Sequence, residues 1–179
     1  IEKIPKVKKL NGEKKTIVFE DSKEGWAVGT LDVCQAMWEG YDVDWDLSKL
    51  RPQGARLKTF GGRSSGPGPL DETLHFIKHM IEAHRDRKLS SLNAFDIVTK
   101  IANSVVVGGV RRSSIITLSD LYDNGMRDAK QGQFWITNGH RAMSNNSAIY
   151  DSKPSSIEFM KEWLSLAESG TGERGIFNR

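Results

Sequence analysis

The sequence predicts an α/β fold, and three observations carry that reading. Short apolar, β-branched runs alternate with longer segments of helical periodicity. Ser and Asp residues stand where helices should start. Glycine-rich and proline-rich stretches separate the elements. At 179 residues, 37% of them hydrophobic, the chain has the length of one domain or somewhat more, and enough apolar material for a core.

The elements follow in order. Six lysines fall within the first fifteen residues. Residues 6–10 and 15–20 flank Asn11-Gly12, which reads as a basic N-terminal hairpin over residues 1–20 with a solvated lysine edge; docking to phosphate is the alternative. Residues 16–19 form its strand. Asp21-Ser22 then caps a helix over 23–38, with Leu31, Cys34, Met37 and Trp38 expected inward. Asp42, Asp44 and Asp46 read as a solvated turn, because a calcium loop needs a Gly and a closing Glu that are missing. Residues 55–60 are read as a second strand and 61–69 as a loop with four glycines and two prolines. Helices are expected over 70–85, facing inward with Leu74, Ile77, Met80 and Ile81, and over 91–105, with Phe95, Val98, Ile101 and Ala102. A strand over 113–118 follows, then a short polar helix capped by Ser119. Residues 134–136 read as strand or loop, 155–168 as a last helix after Pro154, and 175–177 as the start of a further strand.

Composition excludes several classes. There are 26 basic and 23 acidic side chains, a net charge of +3, too little to demand a nucleic-acid partner. No run is long and apolar enough for a membrane helix, and no signal peptide opens the chain. The single cysteine, Cys34, rules out an internal disulfide and a multi-cysteine zinc site, which suits a cytoplasmic protein. His75 and His79 stand four apart on one helix without an evident third ligand, so no metal is expected.

Two glycine-rich segments are candidate binding loops. Gly61, Gly62, Arg63, Ser64, Ser65 and Gly66 lie between an expected strand and a helix, where free N–H groups, hydroxyls and the helix terminus suit phosphate oxygens. They match neither a dinucleotide fingerprint nor a Walker loop. Gly108, Gly109, Val110, Arg111, Arg112 and Ser113 leave a helix and enter a strand; paired arginines beside two glycines read either as a loop for nucleotide phosphates or bases, or as a helix end with solvated arginines.

Taken together, the segments Asp21-Ser22-Lys23-Glu24-Gly25-Trp26, Asp46 to Arg56, Thr59 to Pro67, Val106 to Ser113 and Ser144-Asn145-Asn146-Ser147 resemble, in order, the large catalytic chain of ribonucleotide reductase. The likeness is strongest to the adenosylcobalamin-dependent type acting on ribonucleoside triphosphates. It implies that residues 21–179 form part of a ten-stranded α/β barrel. It implies a deoxynucleotide allosteric effector, held at its sugar by Asp21 and Ser22 with Lys23 and Trp26 beside them. Arg51, Lys58 and the 61–66 loop would hold its phosphates. Gly108 to Ser113 would form the second specificity loop, and Ser144, Asn145, Asn146 and Ser147 part of the substrate pocket. Two departures stand out: Gly109 where Asn is frequent, and Arg174 where Pro is usual.

The family's reaction converts ribonucleotides to 2′-deoxyribonucleotides by a thiyl radical and needs three cysteines; this chain has one, outside the family's cysteine contexts. The resemblance therefore implies no catalytic residue here, remaining segments or subunits that carry the cysteines, a ribonucleotide substrate, adenosylcobalamin and a thioredoxin-like reductant in the complete enzyme, and no turnover by this piece alone. A non-catalytic nucleotide-sensing module that kept the loops is the alternative. A basic nucleic-acid binder is the poorer third reading.

Overall fold

The structure, a computed structural model, describes residues 4–57, 61–107, 110, 111 and 113–179. The architecture is mixed α/β with parallel sheets, divided between two compact units. The first holds residues 1–90 and 104–112, the second residues 91–103 and 113–179. The sequence reading separates 1–20 from 21–179.

In the first unit, β1 (Lys14–Val18) pairs in parallel with β2 (Asp42–Asp46), joined by α1 (Lys23–Glu39). The strand partner of β1 is thus β2, and residues 6–10 form no strand. The acidic segment expected to be a turn is β2: its acids alternate with Val43 and Trp45, and the period of two is a strand signature. Asp42 is held below the usual carboxylate range by the Lys78 ammonium, 3.1 Å away on α2 (Gly68–Glu82). Ser22 is the N-cap of α1, its hydroxyl accepting from the Gly25 N–H at 2.9 Å, as the sequence predicts.

The buried face of α1 is Gly29, Val33, Ala36 and Met37. Leu31 is exposed, and Cys34 and Trp38 are half-buried, so the helix is rotated from the expected phase. Gly29 explains the rotation: a Cβ there would stand 2.5 Å from the Phe19 ring, which is fully buried, so the helix closes on Phe19 along its glycine side. α2 buries Leu70, Leu74, Ile77 and Ile81 against the same core. Arg85 donates to the carbonyls of Lys8, Met37 and Tyr41, which ties the end of α1 to the segment after α2. Residues 55–57 make only an isolated antiparallel bridge, Arg56 to Arg63, where a strand over 55–60 is expected; residues 58–60 lie outside the described residues. Two short strands, β3 (Val106–Val107) and β4 (Val110–Arg111), pair antiparallel.

In the second unit, α3 (Ser91–Ser104) precedes a three-stranded parallel sheet in the order β5 (Ile115–Asp120), β6 (Ser144–Tyr150), β7 (Gly175–Asn178). Two short helices, α4 (Asn124–Arg127) and α5 (Phe134–Thr137), and a 3-10 turn (Gly139–Met143) lie between β5 and β6. Asp123 caps α4, and Ser119 lies inside β5 instead of capping a helix. Segment 134–136 is helical, neither strand nor loop. α6 (Ser156–Ser169) starts on a full capping box between Ser155 and Glu158. On α3, Phe95 and Ala102 are buried as expected, but Val98 is exposed and Asp96 and Thr99 take buried positions. Phe95 packs with Met126, Ala129 and Leu92.

Arg174 is a buried staple in this unit. It donates to both Glu162 carboxylate oxygens (2.6 and 3.1 Å), to Ser119 Oγ (3.0 Å) and to the carbonyls of Asp120 and Leu121. A proline at this position could make none of these bonds, so the departure noted in the sequence has a specific structural use.

Candidate functional site

The sequence reading brings Asp21 and Arg51 to one site, and the structure places them in contact. Both lie just beyond the carboxyl ends of the parallel strands β1 and β2, where α/β folds bind ligands. Arg51 Nε donates to both Asp21 oxygens at 2.9 Å, and the Arg51 backbone N–H points at Oδ1 from 3.3 Å. Next to this pair, Lys49 meets Glu20 at 2.6 Å. Both pairs are solvent-accessible, so a polar ligand can reach them. Asp21 Oδ1 thus accepts from both the backbone N–H and the Nε of Arg51, and Oδ2 from Nε. Ser22 spends its hydroxyl on the helix cap. Lys23 is exposed and Trp26 half-buried, both on the first turn of α1 beside Asp21.

The glycine-rich loop is braced from within. Gly54 N–H bonds to Ser64 O (2.9 Å), Ser64 N–H to Ala55 O (2.8 Å) and Leu57 N–H to Gly62 O (3.0 Å). Arg63 Nη1 donates to Gly54 O at 3.0 Å, and Ser64 Oγ accepts from Gly66 N–H at 3.0 Å. Ser65 Oγ lies 3.4 Å from Gly66 O. Gly61, Gly62 and Gly66 all have positive φ, which is the physical reason for glycine there. The loop feeds α2, whose N-cap residue Pro67 supplies no side-chain bond. Lys58 lies outside the described residues, as do Gly108, Gly109 and Arg112 of the second loop. Val110 and Arg111 are known here as backbone in β4, and Ser113 Oγ donates to Ala102 O at 3.0 Å.

The pleat of β6 divides the remaining candidates. Ser144 and Asn146 are buried on one face, while Asn145 is exposed and Ser147 half-buried on the other. Ser144 Oγ bonds Thr117 Oγ1 at 2.7 Å, and Lys130 reaches Ser144 O and, at 2.7 Å, Glu173. On the opposite face, the register aligns Asn145 with Ile116, Ser147 with Leu118 and Gly175, and Ile149 with Phe177. Sequence reasoning missed Lys130, Glu173, Asp96, His140 and Arg141, whose partners lie far along the chain and leave no local pattern.

Among the described residues no group of acids, histidines or cysteine is arranged to hold a metal. Burial pushes the Cys34 thiol up to about 11, so it is a poor nucleophile. A groove of about 550 Å³ runs along α6, lined by Ser156, Ile157, Met160, Lys161, Trp163, Leu164 and Ala167. An amide-rimmed corrin ring asks for more hydrogen-bond partners than this apolar strip supplies. The groove does not fit adenosylcobalamin, and no step is assigned to that group here.

The fold and site define an α/β segment with paired charges just outside the carboxyl ends of its parallel strands. Residues 6–81 match the family described as B12-dependent ribonucleotide reductase, insertion domain. The chain is 30% identical over 182 residues to an adenosylcobalamin-dependent ribonucleoside-triphosphate reductase of Lactobacillus gasseri, covering 96% of this chain and 24% of that protein. The reductase of the same name from Lacticaseibacillus paracasei is 32% identical over 164 residues, covering 88% and 21%. A crystal structure of a B12-dependent (class II) ribonucleotide reductase superposes with a TM-score of 0.76 at 29% identity, over 92% of this chain and 23% of that one. The chain is therefore related, over nearly its whole length, to a segment of the B12-dependent ribonucleotide reductases, and it spans about a quarter of the length of the relatives it matches.

Proposed function

We propose that this chain is the part of a B12-dependent ribonucleotide reductase that senses the effector and shapes one wall of the substrate pocket. In the complete enzyme its β5–β6–β7 sheet is part of a ten-stranded α/β barrel. Ribonucleotides are reduced there to 2′-deoxyribonucleotides with adenosylcobalamin, cysteines on other segments and a thioredoxin-like reductant. The observation that carries this reading is the Asp21–Arg51 pair at the carboxyl ends of β1 and β2, in a chain with this likeness. Asp21 accepts from the sugar hydroxyl of a deoxynucleotide effector, while Arg51 and the 61–66 loop neutralise its phosphates. Lys58 and the Gly108 to Ser113 loop complete the relay toward the substrate base. Asn145 and Ser147 face the substrate, and Ser144 and Asn146 hold the strand from behind.

The test is titration of deoxynucleoside triphosphates onto the complete reductase with and without Asp21→Ala. Tight binding to the parent and a clear loss in the variant support the reading; equal affinity removes Asp21 from the effector site. The single cysteine, where the radical reaction needs three, favours a second reading, a nucleotide-sensing module without radical chemistry. That reading requires effector binding in an assembly that performs no reduction.

A further inference from the structure

On its β7 side, the parallel ladder of β6 stops short of Asn145. The register pairs Ser147 with Gly175, and carried two residues back it sets Asn145 opposite Glu173. In a parallel ladder that residue would donate its N–H to the carbonyl before Asn145 and accept from the N–H after it. The Glu173 backbone does neither. Its N–H donates to Thr171 Oγ1 at 3.4 Å, and its carbonyl accepts from Ser169 Oγ at 3.2 Å.

An ion pair stands in that ladder position instead. Lys130 Nζ donates to Ser144 O, and Glu173 Oε2 accepts from the Asn146 N–H at 3.3 Å. Lys130 Nζ and the same Oε2 meet at 2.7 Å, and the two side chains are only 6% and 22% exposed. The ammonium thus replaces a backbone N–H, and the carboxylate a backbone C=O, on the two peptide groups that flank Asn145. Buried backbone groups need partners, but satisfying them needs no charges, and a buried ion pair adds little net stability compared with apolar packing.

The use of the pair lies in where its halves come from. Lys130 follows Ala129, which packs with Phe95 and Met126 and whose carbonyl accepts from Arg141 Nη1 at 2.7 Å. Glu173 precedes Arg174, held at 2.6 Å by Glu162 and at 3.0 Å by Ser119. The backbone around Asn145 is therefore gripped by one anchored segment ahead of β6 and another ahead of β7. Its side chain stands exposed on the opposite face of the pleat.

We infer that Lys130 and Glu173 are positioning residues that fix Asn145 toward the substrate. The inference rests on the reading above in which Asn145 faces the substrate. Loss of the Lys130 donor releases Ser144 O and leaves the Glu173 carboxylate without its cation, so the start of β6 can shift. A contact group displaced by a fraction of an ångström no longer meets the reacting geometry.

The test is a double-mutant cycle in the complete reductase: Lys130→Met, Asn145→Ala and the two together. The readout is kcat/KM for a ribonucleotide, with circular dichroism as the check of folding. Lys130→Met should lower kcat/KM at least about tenfold in the parent, and by less than about twofold once Asn145 is already replaced. A role in stability alone predicts the same loss in both backgrounds. That result overturns the inference, as does an unchanged kcat/KM in Lys130→Met. Where Lys130→Met does not fold, Lys130→Met with Glu173→Leu, which leaves no unpaired buried charge, takes its place in the cycle and decides. An Asn145→Ala enzyme with the parental kcat/KM sinks the substrate-facing reading of Asn145 and the inference with it, so that failure is told apart from a failure of the ion pair alone.

Discussion

Arg51 lays its Nε against both carboxylate oxygens of Asp21 at 2.9 Å, so the two groups proposed for an effector's sugar and phosphates are already joined. The pair fixes the Asp21 rotamer at the carboxyl ends of β1 and β2. Asp21→Ala in the complete reductase should weaken deoxynucleotide binding by about 1–3 kcal/mol, the worth of a hydrogen bond to a charged group. Arg51→Lys should weaken it by a smaller amount, because a charge remains but the Nε–H shared by both Asp21 oxygens is lost. Isothermal titration of both variants checks the order; a larger loss for Arg51→Lys than for Asp21→Ala would reverse the assigned roles.

Gly66 stands at φ +74°, and a Cβ there would lie 2.8 Å from the Gln53 backbone nitrogen. Neither the left-handed conformation nor the backbone contact can be relieved by turning a side chain. Gly66→Ala should therefore cost about 1–3 kcal/mol of stability and shift the 61–66 loop away from residue 53. Gly61 also has positive φ but open space around it, so Gly61→Ala should cost less, about 1 kcal/mol. Urea unfolding of the two variants side by side tests the difference.

Cys34 is half-buried on α1, and burial raises its thiol from 9.0 to about 11. A raised pKa in the folded state favours the protonated form. Its contribution to stability is full below pH 9.0 and is lost as pH rises through about 11. Cys34→Ala should thus flatten the fall in stability across that window. At neutral pH it should cost no more than about 1.5 kcal/mol, and reduction by the complete enzyme should persist. Loss of reduction in a normally folded Cys34→Ala enzyme would return a catalytic role to this thiol.

The start of α1 was legible because caps are local. Ser22 accepts from the Gly25 N–H three residues on, so its sequence neighbourhood contains the whole interaction. The inward face of α1 was not legible, since apolar residues such as Val28 and Leu31 also point to solvent and leave the phase undetermined. β2 was readable in principle: acids at alternate positions around Val43 and Trp45 have the period of a strand, but a run of three acids in five residues is equally the composition of a solvated turn. Asp21 and Arg51 emerged only through resemblance, because thirty residues separate them. Asp96 and Arg141, forty-five apart, carry no motif at all, and only tertiary structure brings them together.

The second unit leaves apolar side chains of its sheet and of α6 in solvent. Parallel sheets occur almost only with both faces covered, because their crossovers and neighbours bury them. In the β5–β6–β7 sheet, Ser144, Asn146, Ala148 and Tyr150 are buried on one face, yet Ile116 on the other is 71% exposed and Phe177 43%. α6 likewise turns Ile157, Met160, Trp163 and Leu164 to solvent. Exposed apolar patches of this kind mark surfaces that another element covers. The isolated 20.0 kDa chain should therefore self-associate and bind a hydrophobic dye. Ile116→Ser combined with Phe177→Ser should reduce dye binding without loss of helical circular dichroism, since neither side chain contributes to the buried face. Sedimentation shows the outcome directly. A monodisperse, dye-silent monomer that unfolds cooperatively would favour the independent sensing module over a segment of a reductase barrel.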